Sequence, residues 1–238
     1  MKETFAVIGN NWGNKIFNIL LALNFKVIKV NLKSPKRYKN DKAYLYHLNK
    51  QLNLIRKECS IIWLAITPNK NKQFQIVKKC LNKKFHLIIE KPWLVSINKT
   101  KYLEKIQKKN KLLVGFHFEY LYLNFLKKNE LKFKNLANSV VLNFHVNNKK
   151  LKKNHKYELG SHLFAIKKYY FPKIKKYQII TGFKKNLRNI SVKIKNKKIF
   201  NNFTSNKEDI IKKFIKDYLD HLKKNKKFKF DFNFVISD

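Results

Sequence analysis

The sequence predicts an α/β protein, with a parallel β-sheet in its N-terminal half and a smaller α+β region after it. The main observation lies in residues 61–120, where three short apolar runs are separated by helix-like sequence. The runs are Ile61–Ile66, Leu87–Ile89 and Leu112–Val114. Such runs are typical of buried parallel strands joined by crossover helices. A second observation is that polar residues follow each run, at the carboxyl edge where open parallel sheets bind ligands.

Two more strands are predicted before this stretch, at Phe5–Ile8 and Lys26–Val30. The first strand is followed by a glycine-containing turn, Gly9–Asn14, and then by apolar residues at helical spacing. Strand, glycine turn and helix form the first half of a mononucleotide-binding unit, so the sheet is expected to be of the Rossmann type. We therefore predict a dinucleotide-binding Rossmann domain over residues 1–118 and a second domain over residues 119–238.

The alternation of strand and helix stops after about Tyr120, and the second domain is expected to be α+β with a mixed or antiparallel sheet. The predicted strands are Ser139–Val146, followed by a meander of Gln178–Phe183, Ile190–Ile194 and Ile199–Phe203. The predicted helices are Leu159–Phe171 and Ser205–Leu222.

The formal charge of +41 arises from 55 Lys and Arg against 14 Asp and Glu, which raises the question of nucleic-acid binding. Only Arg37, Arg56 and Arg188 are arginine, whereas phosphate and base recognition favours arginine over lysine. Asn, Ile, Phe and Tyr are also abundant, and they share AT-rich codons with Lys. We therefore interpret the charge as codon bias on a lysine-coated surface, with salt-sensitive adhesion to polyanions but no specific nucleic-acid site.

The two cysteines, Cys59 and Cys80, form neither a disulfide framework nor a metal-binding spacing. The N-terminus runs straight into a strand without the shape of a secretory signal, and the apolar run 16–23 is too short to cross a membrane. The sequence thus predicts a soluble cytoplasmic protein with no metal and no membrane partner.

The turn after the first strand is the first candidate for cofactor binding. A glycine there lets the backbone approach a pyrophosphate, while the following helix offers free amides and its positive dipole end. Gly9, Asn11, Trp12 and Gly13 are the candidate residues, but the spacing is one residue short of GxGxxG. Asn11 or its neighbour stands where the middle glycine would be, and Asn tolerates left-handed backbone. A purely structural strand–helix turn remains the alternative.

The end of the second strand carries Asn31, followed by several cations that include Arg37. No carboxylate is present there to bind an NAD ribose or to repel a 2′-phosphate. This pattern favours NADP over NAD, although basic residues are expected in any loop of so lysine-rich a chain.

Two further patterns could carry chemistry. Lys91 follows a buried strand, where partial desolvation would suit it to proton transfer or to holding a reacting oxygen. Glu158 and His162 are four residues apart, so on a helix they share a face and could form a general acid–base pair. The plainer readings are a strand-end lysine and a surface ion pair.

Taken together, these residues resemble the Gfo/Idh/MocA family of glucose–fructose oxidoreductases and inositol dehydrogenases. The resemblance runs from Phe5 to about Phe171. It rests on motifs that occur in the family's order and with its spacing. These are Thr67-Pro68-Asn69, Glu90-Lys91-Pro92, Val114-Gly115-Phe116 and Glu158-Leu159-Gly160-Ser161-His162, the last with Glu where the family has Asp.

The resemblance implies hydride transfer between NAD or NADP and a carbon of a sugar, cyclitol or nucleotide sugar. It implies that Lys91 lies at the substrate and the nicotinamide, that His162 is the acid–base group, and that Glu158 is its neighbour. The residues implied to line the cofactor are Thr67, Pro68, Asn69 and Glu90. The second domain is implied to serve the substrate and oligomer contacts.

The sequence departs from the family pattern in four ways. The glycine fingerprint is degraded, Lys72 replaces a frequent histidine, and Glu119 replaces a frequent arginine. The region after His162 is also short, which predicts a small sheet, an altered substrate pocket and a changed or absent oligomer, with a homodimer still open. Two other functions therefore remain open: an inactive family member that acts as a binding or assembly subunit and, on charge alone, a nucleic-acid binder.

Overall fold

The computed structural model describes residues 3–30, 32, 39–66, 69–136, 139–146, 155–183, 189–194, 197–202 and 207–236. The chain divides into two compact units. Unit 1 comprises Met1–His117 together with Lys216–Asp238, and unit 2 comprises Phe118–Ile215. The two-domain prediction placed the whole C-terminus in the second domain, whereas the last residues group with unit 1.

Unit 1 is built on a five-stranded parallel sheet with the strand order β2-β1-β3-β4-β5. The strands are β1 (Thr4–Ile8), β2 (Lys26–Val30), β3 (Ile61–Leu64), β4 (His86–Glu90) and β5 (Val114–His117). The helices between them are α1 (Trp12–Ala22), α2 (Asp41–Ile55), α3 (Lys70–Asn82) and α4 (Ile97–Lys109). This arrangement confirms the predicted Rossmann-type α/β fold.

The central strands read as continuous apolar runs because they are covered on both faces. Every residue of β3 is buried, as are the last four residues of β1 and of β4. The prediction for the fifth strand was displaced: it placed the strand at Leu112–Val114, whereas β5 begins at Val114 and ends at His117. The glycine and histidine that suggested the end of a strand are buried inside it.

The C-terminal segment covers the free edge of β5. The backbone amide of Phe116 donates to the carbonyl of Phe230 at 2.8 Å, which continues the hydrogen bonding beyond the sheet's last strand. A Cβ on Gly115 would lie 2.8 Å from the Phe228 ring and 2.9 Å from Tyr218. Packing therefore explains the glycine at position 115, because the two aromatic rings can approach β5 only where a side chain is missing.

Unit 2 contains a four-stranded mixed sheet with the order β7-β6-β8-β9. Its strands are β6 (Val140–Val146), β7 (Tyr177–Phe183), β8 (Asn189–Ile194) and β9 (Lys197–Asn202). Its helices are α5 (Asn124–Lys128), α6 (Glu130–Lys134), α7 (His155–Tyr170) and the start of α8 (Lys207–Lys223), which ends in unit 1 together with α9 (Phe232–Ile236). A short 3₁₀ turn, Glu119–Tyr122, opens the unit.

The α+β prediction for this region is confirmed, but the predicted meander is wrong. β7 pairs in parallel with β6, and β8 pairs antiparallel with β6 on its other side, so β7 and β8 are not neighbours. A helix and a turn stand between β6 and β7, which is the length of connection that a parallel pair requires.

Among the residues that the structure describes, no helix is long and apolar enough to cross a membrane. Within the same part of the chain, no three His, Cys, Asp or Glu side chains are grouped so that they could hold a metal ion.

Candidate active site

The turn between β1 and α1 brings the backbone close to the neighbouring strand. Gly9 has a φ of 134°, and a Cβ there would overlap the carbonyl oxygen of Ala65 and lie 2.7 Å from its carbonyl carbon. Asn11 also has a positive φ, 39°, but its ψ of −91° lies outside the left-handed helical region that an asparagine tolerates. The turn can thus lie against the backbone that follows β3 only because residue 9 has no side chain.

This turn has the features that a dinucleotide requires. Asn11 is the N-cap residue of α1 but makes no side-chain capping bond, and the first turn of α1 contains no acidic residue. The amide of Gly13 donates to the carbonyl of Asn10 at 2.6 Å, so the first turn offers an anion mainly the positive end of the helix dipole. The residues of the turn fit the pyrophosphate of NAD or NADP.

Lys29 approaches the same turn from β2. Its ammonium donates to the carbonyl oxygen of Gly9 at 2.5 Å, because β2 lies beside β1 with Lys29 level with Val7. A Cβ on Gly13 would be 3.4 Å from the Lys29 nitrogen, so the ammonium also lies against the start of α1. Burial lowers the pKa of Lys29 below its ordinary value.

Glu90, the last residue of β4, is held by several donors. Its Oε1 accepts hydrogen bonds from Trp63 Nε1 at 2.9 Å and from His117 Nδ1 at 2.8 Å. The register explains the second bond, because Glu90 and His117 are directly paired across β4 and β5. Only 6% of Glu90 is exposed, and His117 is fully buried beside the Trp63 ring.

Opposing effects set the pKa of Glu90. Burial would raise it, but the charge and hydrogen bond of His117, the charge of Lys91 and a hydrogen bond from Trp12 together hold it below the ordinary value of 4.5. The bond from Trp12 is informative about position as well as charge. It joins the beginning of α1 to the end of β4, so the glycine turn and the Glu90-Lys91 segment meet at one edge of the sheet.

The segment after Glu90 is fixed by the buried side chain of Gln73 on α3. Gln73 Nε2 donates to the carbonyl of Pro92 at 2.9 Å, and its Oε1 accepts from the amide of Leu94 at 3.0 Å. The Lys91–Pro92 peptide is cis. Lys91 itself is half-buried, and within the described part of the chain its side chain makes no hydrogen bond or ion pair.

In unit 2, His162 lies on α7 and is 2% exposed. Its Nε2 is 3.6 Å from Oε1 of Glu119, whose side chain is 6% exposed. The Tyr120 ring meets the imidazole edge-on with centroids 4.4 Å apart, and Phe144 lies 6.1 Å away. His162 therefore has a carboxylate neighbour in an aromatic pocket, and that neighbour is the residue that stands where the family often has arginine.

The other predicted site residues divide into two groups. Asn69 is described, and its Oδ1 caps α3 by accepting from the amide of Lys72 at 3.0 Å. The predictions for Asn31, Arg37, Thr67 and Pro68 lie outside the described residues. Glu158 lies within α7, but its side chain is also outside the described part, so its pairing with His162 stays a prediction.

Several residues at these sites are not apparent from the sequence motifs. They are Lys29, Trp63, Gln73, His117 and Glu119. The signal that could have found His117 is the pairing of β4 with β5, since a histidine and a carboxylate end adjacent buried strands. Lys29 had a similar signal, a lysine inside a strand that pairs with the strand before the glycine turn.

Comparison with known proteins agrees with this geometry. Residues 5–118 match the sequence model of the Gfo/Idh/MocA oxidoreductase family, which covers its NAD-binding Rossmann fold. No curated protein sequence matches the chain.

Solved structures with the same fold include several dehydrogenases. The WlbA (WbpB) dehydrogenase from Thermus thermophilus, in complex with NAD and UDP-GlcNAcA, has a TM-score of 0.69 at 10% identity over 99% of this chain and 92% of that one. The dehydrogenase MviM from Clostridium difficile has a TM-score of 0.67 at 13% identity, over 99% and 96% of the two chains. GenD2 from gentamicin A biosynthesis, in complex with NAD, has a TM-score of 0.70 at 10% identity, over 99% and 90%. At such identities the likeness establishes the shared fold.

Proposed function

The chain belongs, through residues 5–118, to the Gfo/Idh/MocA family of NAD-binding oxidoreductases, and we propose that it is an NAD(P)-dependent oxidoreductase acting on CH–OH groups. Its substrate would be a sugar, a cyclitol or a nucleotide sugar. The observation that carries the proposal is the hydrogen bond between Trp12 and Glu90. This bond joins the cofactor-type turn to the strand end that presents Lys91.

The cofactor would be held along the carboxyl edge of the unit 1 sheet. The residues proposed to bind it are Gly9, Asn11, Trp12, Gly13, Asn31, Arg37, Thr67, Pro68, Asn69, Glu90 and Lys91. Glu90 would act mainly through its neighbours, because its own carboxylate is already bonded to Trp63 and His117. When bound, the nicotinamide supplies or accepts the hydride.

Two residues are proposed to handle the oxygen and its proton. Lys91 would donate to the reacting oxygen and stabilise the negative charge that develops there. His162 would take the hydroxyl proton during oxidation and return it during reduction, with Glu119, or Glu158, stabilising the imidazolium that forms. Glu119 is the carboxylate whose position beside His162 is described.

The preferred cofactor, the substrate and the location are proposed as follows. We propose NADP rather than NAD, on the cations that follow β2. A nucleotide sugar is favoured because the Thermus dehydrogenase of the same fold was solved with UDP-GlcNAcA. We propose a cytoplasmic location, since both cysteines are free and buried.

Titration with NADPH and with NADH, followed by nicotinamide fluorescence, tests the proposal. Saturable binding is expected, with NADPH the tighter ligand. Absence of binding at millimolar concentrations of both cofactors would overturn the oxidoreductase function. Binding of cofactor without oxidation or reduction of any sugar in a panel of UDP-sugars, free sugars and cyclitols would instead favour the inactive-subunit alternative.

Variants test the two proposed catalytic residues. Lys91→Ala and His162→Ala should each abolish turnover while leaving cofactor affinity nearly unchanged. Lys101→Ala is the matched control, because Lys101 is an exposed lysine of α4 in the same unit as Lys91. Turnover retained in either active-site variant would refute the role of that residue.

A further inference from the structure

The ammonium of Lys29 lies where two positive features meet. It is bonded to the Gly9 carbonyl, and it would be 3.4 Å from a Cβ on Gly13 in the first turn of α1. The start of a helix carries roughly half a positive charge from its dipole. The fold therefore brings a full positive charge against a partial one, at the turn that joins β1 to α1.

Nothing described in the protein neutralises this concentration of charge. The first turn of α1 has no acidic residue, and Asn11 makes no capping bond. Within the described residues, Lys29 forms no ion pair with any carboxylate. Two positive groups in contact repel unless an anion lies with them, so the arrangement is suited to a bound anion.

We propose that Lys29 binds the pyrophosphate of the dinucleotide and compensates for the asparagine that replaces the middle glycine of the turn. This inference rests on the proposed function, because it assigns a new residue to the same cofactor site. An ammonium has three donors, and the Gly9 carbonyl uses one of them. The other two are available to phosphate oxygens, with which lysine forms strong charge-assisted hydrogen bonds.

A different role for Lys29 would be to brace the Gly9 carbonyl without touching the cofactor. Three substitutions separate the two roles. Lys29→Arg keeps the charge, Lys29→Gln keeps a donor for the carbonyl without the charge, and Lys29→Met keeps only the aliphatic length. Lys15→Met is the matched control, because Lys15 is an exposed lysine near the beginning of α1, the helix that Lys29 contacts.

The probes are ADP-ribose, which carries the pyrophosphate, and adenosine, which carries no phosphate, both measured by calorimetry. Loss of one charged hydrogen-bond donor predicts that the Met and Gln variants bind ADP-ribose roughly 10- to 100-fold more weakly. The Arg variant and the Lys15→Met control should stay within about threefold of wild type, less than the tenfold expected for a lost contact. Adenosine affinity should be unchanged in all variants. Circular dichroism and urea unfolding establish that each variant is folded.

Each alternative outcome has a definite meaning. Wild-type affinity for ADP-ribose in Lys29→Gln would show a brace and overturn the proposal, as would unchanged affinity in all three variants. If Lys29→Met does not fold, the comparison of the Gln and Arg variants decides, and loss of folding in all three would show a purely structural role. Wild-type protein that binds neither ADP-ribose nor a nicotinamide cofactor would overturn the proposed function as well. If wild type binds these ligands and the Lys29 variants bind them equally well, only the role of Lys29 is refuted.

Discussion

Replacing Glu90 by glutamine tests whether a buried, ionised carboxylate holds the end of β4. Glutamine has nearly the same shape, and its amide oxygen can still accept from Trp63 and His117, although its NH2 group cannot accept the bond from Trp12. What it lacks is the negative charge that these donors, and the neighbouring Lys91, meet in the native protein. The substitution therefore removes charge with little change in packing.

The expected loss follows from the two described hydrogen bonds. A bond to a charged group contributes about 1.5–3 kcal/mol, against about 0.5–1.5 kcal/mol for a neutral one, so two such bonds lose about 2–3 kcal/mol. His117 is fully buried beside this charge, and removing one partner of a buried pair costs up to about 3–5 kcal/mol. We expect Glu90→Gln to lower the free energy of unfolding by about 2–4 kcal/mol.

Urea unfolding followed by tryptophan fluorescence measures the loss of stability of unit 1, which contains Glu90. The three tryptophans, Trp12, Trp63 and Trp93, all belong to unit 1, and the first two contact Glu90. With a urea slope of about 2 kcal/mol per M, the middle of the usual range, the midpoint should fall by roughly 1–2 M. Glu58→Gln is the control, because the Glu58 side chain is 57% exposed and its pair with Lys26 should contribute less than about 1 kcal/mol.

Unfolding of wild type and of Glu90→Gln at several pH values tests whether the native pKa of Glu90 is lowered. The native pKa of Glu90 is lowered, so the unfolded state binds more protons and the stability from Glu90 is present above the ordinary value of 4.5. That stability is lost as pH falls through the lowered native pKa. The difference between wild type and Glu90→Gln should therefore be constant near neutral pH and shrink in acid. A difference below about 0.5 kcal/mol at pH 7, the size typical of surface substitutions, would refute the ionised, paired carboxylate.

Three other substitutions or reactions test the packing. Gly9→Ala should destabilise unit 1 by more than about 2 kcal/mol and abolish cofactor binding, because its Cβ would overlap the Ala65 carbonyl at a positive φ; differential scanning calorimetry and cofactor titration measure both effects. Tyr218→Phe should cost about 1–2 kcal/mol in urea unfolding, since the buried hydroxyl donates its one hydrogen between two backbone carbonyls, 3.2 and 3.1 Å away; an unchanged midpoint would contradict that bond. Burial raises the pKa of Cys59 to about 11 and that of Cys80 further, so a thiol reagent at pH 8 should modify neither until urea unfolds the protein.

The parallel sheet could be predicted because strands buried on both faces appear in the sequence as continuous apolar runs. β3 and β4 are apolar from end to end, and the chain around them alternates regularly. β5 was displaced because Gly115 and His117 resemble turn residues when read locally. Their reasons are tertiary: one makes room for aromatic rings from the C-terminal segment, and the other pairs with Glu90. The order of strands in unit 2 could not be predicted from the sequence either, because no local pattern shows that β6 lies between β7 and β8.

The candidate site was predictable where a motif names a residue, and not where pairing between strands decides. Lys91 and His162 stand out through their motifs, and their proposed roles stay predictions. Glu119 stood out only as a departure from the family's arginine, because its position beside His162 depends on how the 3₁₀ turn packs against α7. Lys29 was hidden for a further reason: in so lysine-rich a chain, one more lysine carries no signal until the register of β1 and β2 places it at the glycine turn.

The retained motifs do not by themselves separate an active enzyme from an inactive relative, because two of them have structural reasons to persist. Glu90 holds Trp63 and His117, and Gly115 makes room for aromatic rings. Lys91 is different: within the described residues its half-buried side chain makes no hydrogen bond or ion pair, and its described interaction is the attraction between its charge and Glu90.

An active enzyme and an inactive relative therefore predict different results for Lys91→Met. In both cases the free energy of unfolding should fall by no more than about 1 kcal/mol, because no described hydrogen bond is lost and only the charge of Lys91 beside Glu90 is removed. In an active enzyme the variant loses turnover while it stays folded and still binds the cofactor. If Lys91→Met instead unfolds as readily as Glu90→Gln, the lysine is part of the same buried network, and its retention no longer supports catalysis.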